Sequence, residues 1–377
     1  MRFSIFHNVG APGRLHEVAT VFDEMRDIAT FADQAGYHSI WYTEHHFGHE
    51  GFELVPNPVL MGTDIAARTS RIRIGQAANI VTFWNPMRLA EDIAMLDQLS
   101  GGRVEVGVGR GLYGREAMNL NPSADPRDQE QNRALFEETL ELLRKAWSGE
   151  FFAHQGQFHQ LPAPGITWDH PLSPSSPEFI GEDGTIAKLR VVPQSLQRPH
   201  PPLSQVIDSP RSIESAARSR MNGIFWMPPI SELKDRFALY RDTLSEATGT
   251  PQQLGAGLSL VRDVYVADTM EQARADFEEA LLTSYRWICH WRGLNNLREV
   301  GEDISGRELD YDFLAERNLL VGTPDFVAGK VQELQEELNL QDLMLWTTHP
   351  GLEHRKAMRS FELFTEKVMP QFAGENA

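Results

Sequence analysis

Cysteine is almost missing from this chain of 377 residues: Cys289 is the single one. That excludes an internal disulfide and a thiolate metal cluster. Positive charge is also short, with 35 Lys and Arg against 53 Asp and Glu and a net charge of −18. Such a balance speaks against nucleic acid or an anionic membrane as a partner held by bulk electrostatics, though it permits a local positive pocket. No uninterrupted apolar stretch reaches membrane-spanning length, and the opening MRFSIFHNVG is too short in apolar run for a signal peptide. A cytoplasmic address is the simplest expectation. The pair His45-His46 has no carboxylate–histidine spacing such as HExxH around it, so no metal site is expected.

What is present is a regular alternation of strand and helix patterns. Strands are predicted at 2–9, 39–43, 72–80, 103–108, 203–207, 223–227, 257–267 and 343–346, each followed by a helical pattern. Leu89, Ile93, Met95, Leu96 and Leu99 mark one such helix face, which Ser100-Gly101-Gly102 brings to a stop. Thr323-Pro324 has the form of a helix cap and first-turn proline. Eight strand–helix units in one order predict an α/β fold, a (β/α)8 TIM barrel, with active groups at the C-terminal strand ends. The rhythm breaks twice. A proline-rich stretch, 149–202, reads as a long insertion between the fourth helix and the fifth strand, with a small hairpin near Phe151–His159. The stretch 289–318, after the seventh strand, is irregular, and the whole of 1–377 is expected to form a single barrel domain.

Six features fall at predicted strand ends: Glu44-His45-His46, Ala77-Ala78-Asn79, Gly109-Arg110-Gly111, Asp208-Ser209-Pro210-Arg211-Ser212, Trp226 and Thr347 with His349. A strand running into glycines around one arginine lets backbone N–H groups and a guanidinium approach an anion together. Ser209 and Ser212 open a helix, whose exposed N–H groups and positive dipole end suit a phosphate. Arg133, one turn into the helix after the fourth strand, is a further candidate for the same anion. Taken singly, Ser209 and Ser212 read equally as helix caps, Arg133 as part of a charged helix face, and Trp226 as core packing. Adjacent histidines in an extended segment point to opposite sides, so one of His45 and His46 is expected to face the pocket. An imidazole there titrates near neutrality and can exchange a proton with a bound species.

These residues sit in long phrases that resemble the bacterial luciferase family of flavin-dependent monooxygenases. The phrases are Trp41-Tyr42-Thr43-Glu44-His45-His46-Phe47, Ala90-Glu91-Asp92 with Leu96-Asp97-Gln98-Leu99-Ser100-Gly101-Gly102-Arg103, Gly107-Val108-Gly109-Arg110-Gly111-Leu112-Tyr113, Asn132-Arg133-Ala134-Leu135 and Val321-Gly322-Thr323-Pro324. The likeness is greatest to the luciferase alpha subunit. It implies a barrel that takes reduced FMN from a separate NAD(P)H–flavin reductase and oxygenates a small, mostly apolar organic molecule with O2 through a flavin peroxide, as a homodimer. By motif position Arg110, Arg133, Ser209 and Ser212 hold the phosphate, with the backbone at Leu112 helping. Val206, Asp208 and Trp226 belong to the flavin pocket, and Ala77-Ala78 matches a pair joined by a non-proline cis peptide beneath the ring. His45 matches the catalytic histidine, with Tyr113 nearby, and 289–318 matches a mobile lid. Two departures stand out: Asp208 replaces a glutamate, and Gly109 replaces a reactive cysteine, which weighs against light emission. A deazaflavin-dependent hydride-transfer enzyme of the same superfamily and a non-catalytic flavin-binding subunit are the alternatives.

Overall fold

The computed structural model describes residues 1–173 and 176–372. Residues 174–175 of the expected insertion and 373–377 of the expected domain lie outside the described residues. In chain order the strands are β1 Arg2–His7, β2 Ser39–Tyr42, β3 Arg73–Gln76, β4 Asn79–Ile80, β5 Val104–Gly109, β6 His154–Gln155, β7 Gln160–Leu161, β8 Leu203–Val206, β9 Asn222–Phe225, β10 Leu258–Val266, β11 Leu319–Gly322 and β12 Asp342–Trp346. The helices are α1 Val18–Ala35, α2 Pro58–Ala66, α3 Pro86–Ser100, α4 Gly114–Leu120, α5 Gln129–Trp147, α6 Pro210–Arg218, α7 Ile230–Thr248, α8 Met270–Arg292, α9 Tyr311–Ala315, α10 Pro324–Leu338 and α11 His354–Leu363. Two compact units divide them. One holds Met1–Ala78, Glu105–Gly107 and the chain from Pro202 onward; the other holds Asn79–Val104 and Val108–Pro201.

The first unit is the barrel. Its parallel strands run β10-β12-β1-β2-β3-β5-β8-β9, and β9 pairs again with β10 to close the ring. All eight predicted strands are present. Since side chains alternate across a strand, every second residue faces the lumen and the layers can be read in order. The floor is polar: Trp41 Nε1 donates to Ser39 (2.6 Å), Ser39 to Ser4 (2.8 Å) and Ser4 to Asp342 (2.9 Å), while Ser259 donates to the other Asp342 oxygen (3.0 Å). Two residues further along the strands lie Trp41, Ile224, Val261 and Met344, in one apolar cluster with Trp346, Phe6 and Trp226. Ile288 and Trp287 of α8 pack against this same cluster.

The cis peptide between Ala77 and Ala78 that the resemblance implied is present, and it interrupts the third strand: β3 ends at Gln76 and β4 begins at Asn79. Other features were not in the pattern. A ninth strand, β11, pairs with the far half of β10, Asp263 to Val266. Its four residues, Leu319–Gly322, are too few to show a period. Helix α8 runs on to Arg292, so irregular chain begins at Gly293 rather than at Cys289, and it contains the short helix α9. Thr323 caps α10 as expected, accepting from Phe326 N.

Asp33 ties α1 to the chain entering β3. Its carboxylate accepts from the backbone N–H of Ile72 (2.7 Å), Arg71 (2.7 Å) and Ser70 (3.1 Å). Burial alone raises its pKa, but these donors outweigh that and hold the group below the ordinary carboxylate value. Asp33→Ala is therefore expected to cost about 3 kcal/mol, because three N–H groups lose a charged acceptor. The folded pKa is the lower one. The associated stability is thus complete above the unfolded value of about 3.9 and is lost as pH falls through the folded value. Urea unfolding across pH 2 to 6 (about that window) should show a steeper loss of stability towards acid in the native chain than in Asp33→Asn, the difference being the Asp33 contribution.

The second unit holds α3, α4 and α5 with β4 paired to the end of β5, Asn79 opposite Val108 and Ile80 opposite Gly109. Helices α3 and α5 pack together, and Trp147 Nε1 donates to Ala90 O at 3.1 Å. The hairpin predicted near Phe151–His159 appears as β6 and β7, with His154 opposite Leu161. Among the described residues no helix is long and apolar enough to cross a membrane.

Candidate active site

In the barrel unit the second strand delivers His45 and His46 just past its end, and the two rings go to different carboxylates. His45 Nε2 lies 3.4 Å from Glu53 Oε1, and His46 Nε2 lies 3.0 Å from Glu44 Oε1. Extended backbone makes neighbouring side chains diverge, which is why one segment serves two partners. His45 also donates its backbone N–H to Val55 O at 2.9 Å, fixing the loop that carries Glu53. Both carboxylates are buried.

Ser209 and Ser212 close the start of α6 reciprocally. Ser209 Oγ accepts from Ser212 N (3.3 Å), and Ser212 Oγ accepts from the N–H groups of Ser209 (3.1 Å) and Asp208 (3.2 Å). The two hydroxyls thus collect the donors that a helix start leaves over, and they remain rotatable. The structure gives them the cap role outright. Two arginines gather at the preceding residue: Arg236 donates to Asp208 O at 2.6 Å, and Arg292 lies 3.5 Å from the Asp208 carboxylate. Arg292 also sits over the Trp226 ring, 5.8 Å from its centroid. Trp226 follows β9 directly and meets Trp346 edge-on at 5.4 Å. Its indole Nε1 is buried with no hydrogen-bond partner among the described residues. Val206 ends β8 with its side chain exposed. In the far half of β10, Tyr285 donates to Asp263 (2.6 Å) and His349 Nε2 meets the other oxygen (2.9 Å). Burial, with the Asp263 charge beside it, pushes the Tyr285 phenol well above its usual pKa.

In the second unit Gly111 takes φ +84°, and an added Cβ there would stand 2.8 Å from the Phe83 ring. That turn places Arg110, whose guanidinium donates to Asn132 Oδ1 at 3.0 Å and to Gln129 Oε1 at 3.2 Å. Asn132, fully buried, returns a bond from Nδ2 to Arg110 O (3.0 Å) and another to Ala124 O (2.8 Å). Arg110 is therefore held in one orientation from both ends. Arg133 follows on the same helix, and its Nε is buried without a partner among the described residues. Leu112 and the buried Tyr113 lead into α4.

A buried guanidinium N–H with no acceptor is costly, and an anion bound beside Arg133 would satisfy it. An indole N–H in the same condition asks for a polar group of a bound molecule. Taken separately, the Arg133 donor in the second unit fits the phosphate of a flavin mononucleotide, and the Trp226 donor in the barrel unit fits a polar atom of its ring.

The sequence model of luciferase-like monooxygenases matches residues 1–339. The chain belongs to that family. Its relatives include the oxygenase component of the flavin-dependent trigonelline monooxygenase of Acinetobacter baylyi, 26% identical over 99% of this chain and 96% of the relative. Among solved structures, a monooxygenase from Streptomyces bottropensis superposes with a TM-score of 0.79 at 26% identity, covering 99% of this chain and 100% of the other. The FMN-bound oxygenating constituent of 3,6-diketocamphane monooxygenase from Pseudomonas putida superposes at 0.78 and 22% identity, over 99% of each chain. By family, then, the chain is a luciferase-like monooxygenase.

In this luciferase-like chain four residues outside the expected set lie against expected site residues. Arg236 and Arg292 come to Asp208 from α7 and α8, Asn132 holds Arg110, and Glu53 faces His45. Asn132 precedes Arg133 in the phrase Asn132-Arg133-Ala134-Leu135 that carries the resemblance. The arginines arrive from helices 28 and 84 residues along the chain, with no local pattern to announce them.

Proposed function

We propose that this chain is the oxygenase of a two-component system, receiving reduced FMN from a separate NAD(P)H–flavin reductase and acting as a homodimer. It transfers one atom of O2 to a small, mostly apolar organic molecule, and the other leaves as water. Bound reduced FMN supplies the two electrons and the oxygen-activating ring. Family membership supports the reaction type, and the designation of the Acinetobacter relative as an oxygenase component supports the division of labour. The observation that carries the cofactor is the partnerless, buried Arg133 Nε.

The residues proposed to hold FMN are Arg110, Leu112 and Arg133 in the second unit, and Ala77, Ala78, Val206, Asp208, Ser209, Ser212 and Trp226 in the barrel unit. Ala77 and Ala78 are small and buried, a floor without bulk. Arg133 supplies the unmatched donor, while Ser209 and Ser212 supply hydroxyls that can turn from one another to a phosphate oxygen. His45 is proposed to move the proton during turnover, its imidazole held by Glu53. Tyr113 is proposed to act beside it.

Anaerobic titration with reduced FMN should give binding in the micromolar range or tighter. Arg133→Ala should weaken it about 10- to 100-fold, the equivalent of one charged hydrogen bond. A reduced deazaflavin titrated in parallel is expected to bind less well. Failure of reduced FMN to bind would remove the proposal, and a preference for the deazaflavin would replace it with hydride transfer.

A further inference from the structure

The C-terminal half of α8 carries two faces. Leu281, Ser284, Tyr285 and Ile288 are buried, at a helical spacing that turns one side into the barrel unit. Thr283, Arg286, Trp287, His290 and Trp291 follow the same spacing on another side. Together with Phe52, from the chain after β2, these five line a cavity of about 470 Å³. All six residues belong to the barrel unit. The volume lies in the range of clefts that take small molecules.

Three of the six side chains bring large aromatic rings. Phe52 and Trp287 stack at 4.8 Å and 18°, flat rings from two different elements. One turn on, Trp291 is 59% exposed and meets His290 edge-on at 5.0 Å and 89°. An exposed indole leaves a large apolar area in water, which a bound ring would cover. The permanent charge is of one sign. Arg286 is exposed, and among the described residues its guanidinium has no hydrogen bond, ion pair or ring contact. None of the six lining residues is acidic, in a chain whose net charge is −18. A guanidinium presents N–H donors in one plane, and a carboxylate matches them. A neutral solute would leave that cation unanswered, and a second cation would be repelled.

We propose that this cavity binds a planar aromatic carboxylate. The ring packs among Phe52, Trp287 and Trp291, and the carboxylate meets Arg286. The proposal uses no residue assigned above to FMN or to proton transfer, so it does not depend on the flavin reading. The cavity nonetheless adjoins the candidate site. Trp287 packs against the lumen cluster, and Phe52 precedes Glu53, which faces His45.

Calorimetry on the whole chain, with and without FMN, tests this with 2-naphthoate, 2-naphthylmethanol and decalin-2-carboxylate. The first has both ring and charge, the second lacks the charge, and the third lacks the aromatic ring. 2-Naphthoate should bind in the submillimolar range, more tightly than either of the others. Arg286→Gln should weaken it about fivefold, the worth of one exposed ion pair, and leave 2-naphthylmethanol unchanged. Trp291→Ala should weaken both naphthyl compounds about tenfold. Both side chains are exposed, so each variant should keep the parent's circular dichroism and melting temperature. FMN should not compete, which separates this cavity from the cofactor site. Four results overturn the proposal: no binding of 2-naphthoate in the millimolar range, equal affinity for 2-naphthylmethanol, competition by FMN, or binding that neither substitution changes.

Discussion

Gly107→Ala should destabilise the barrel by about 3 kcal/mol or more, at the top of the range for overpacked cores. An added Cβ would stand 1.8 Å from Gln76 O and 3.3 Å from the Trp41 ring. The nearer obstacle is backbone on a neighbouring barrel strand, which cannot swing aside as a side chain can. Relief requires β5 and β3 to part, at the cost of the packing around Trp41. Urea unfolding should show a lower midpoint with little change in slope. Gly114→Ala is the control, because nothing lies within 4 Å of its added Cβ. A Gly107→Ala chain as stable as that control would mean that the strands do not approach as described.

His45→Ala should lower oxygenation turnover about 10²- to 10⁴-fold, the usual worth of one positioned acid–base group. Reduced FMN should bind the variant nearly as well as the parent, since His45 is not among the residues proposed to hold the cofactor. The comparison is made with any molecule the native chain oxygenates, following product in single-turnover and steady-state assays. Glu53→Gln should show a smaller loss of the same kind, because the amide is a poorer acceptor for the imidazole 3.4 Å away. Unchanged turnover in His45→Ala would remove the proton-transfer role and leave the residue a structural one.

The barrel was legible because its signal is repeated. Eight alternations of period two and period 3.6 reinforce one another, and single errors at the ends do not disturb the order. Helix α5, Gln129–Trp147, has ends marked in the sequence, where Asp128 accepts from Gln131 N and Gly149 follows the last turn. The short strand β11 was lost because four apolar residues carry no period and their partner, the far half of β10, lies more than fifty residues earlier. Helix α8 runs through Cys289 to Arg292, and Gly293 ends it at a φ of 69°. At the site, the sequence gives each residue its place on a strand end but not its neighbours. The serines at 209 and 212 could be read as caps, and they are caps. Nothing local shows that Arg236 and Arg292 converge on Asp208, since tertiary packing alone brings them there.

The serine chain beneath Trp41 bears on how such a barrel evolves. Three strands bring hydroxyls, from Ser4, Ser39 and Ser259, into one network that ends on the single Asp342 acceptor of a fourth. A slip of any strand by one residue would turn its hydroxyl out of the lumen and break the network. The stagger of neighbouring strands is therefore pinned from below, and the loops at the opposite rim are free to be lengthened, exchanged or rebuilt for a new substrate without loosening the frame.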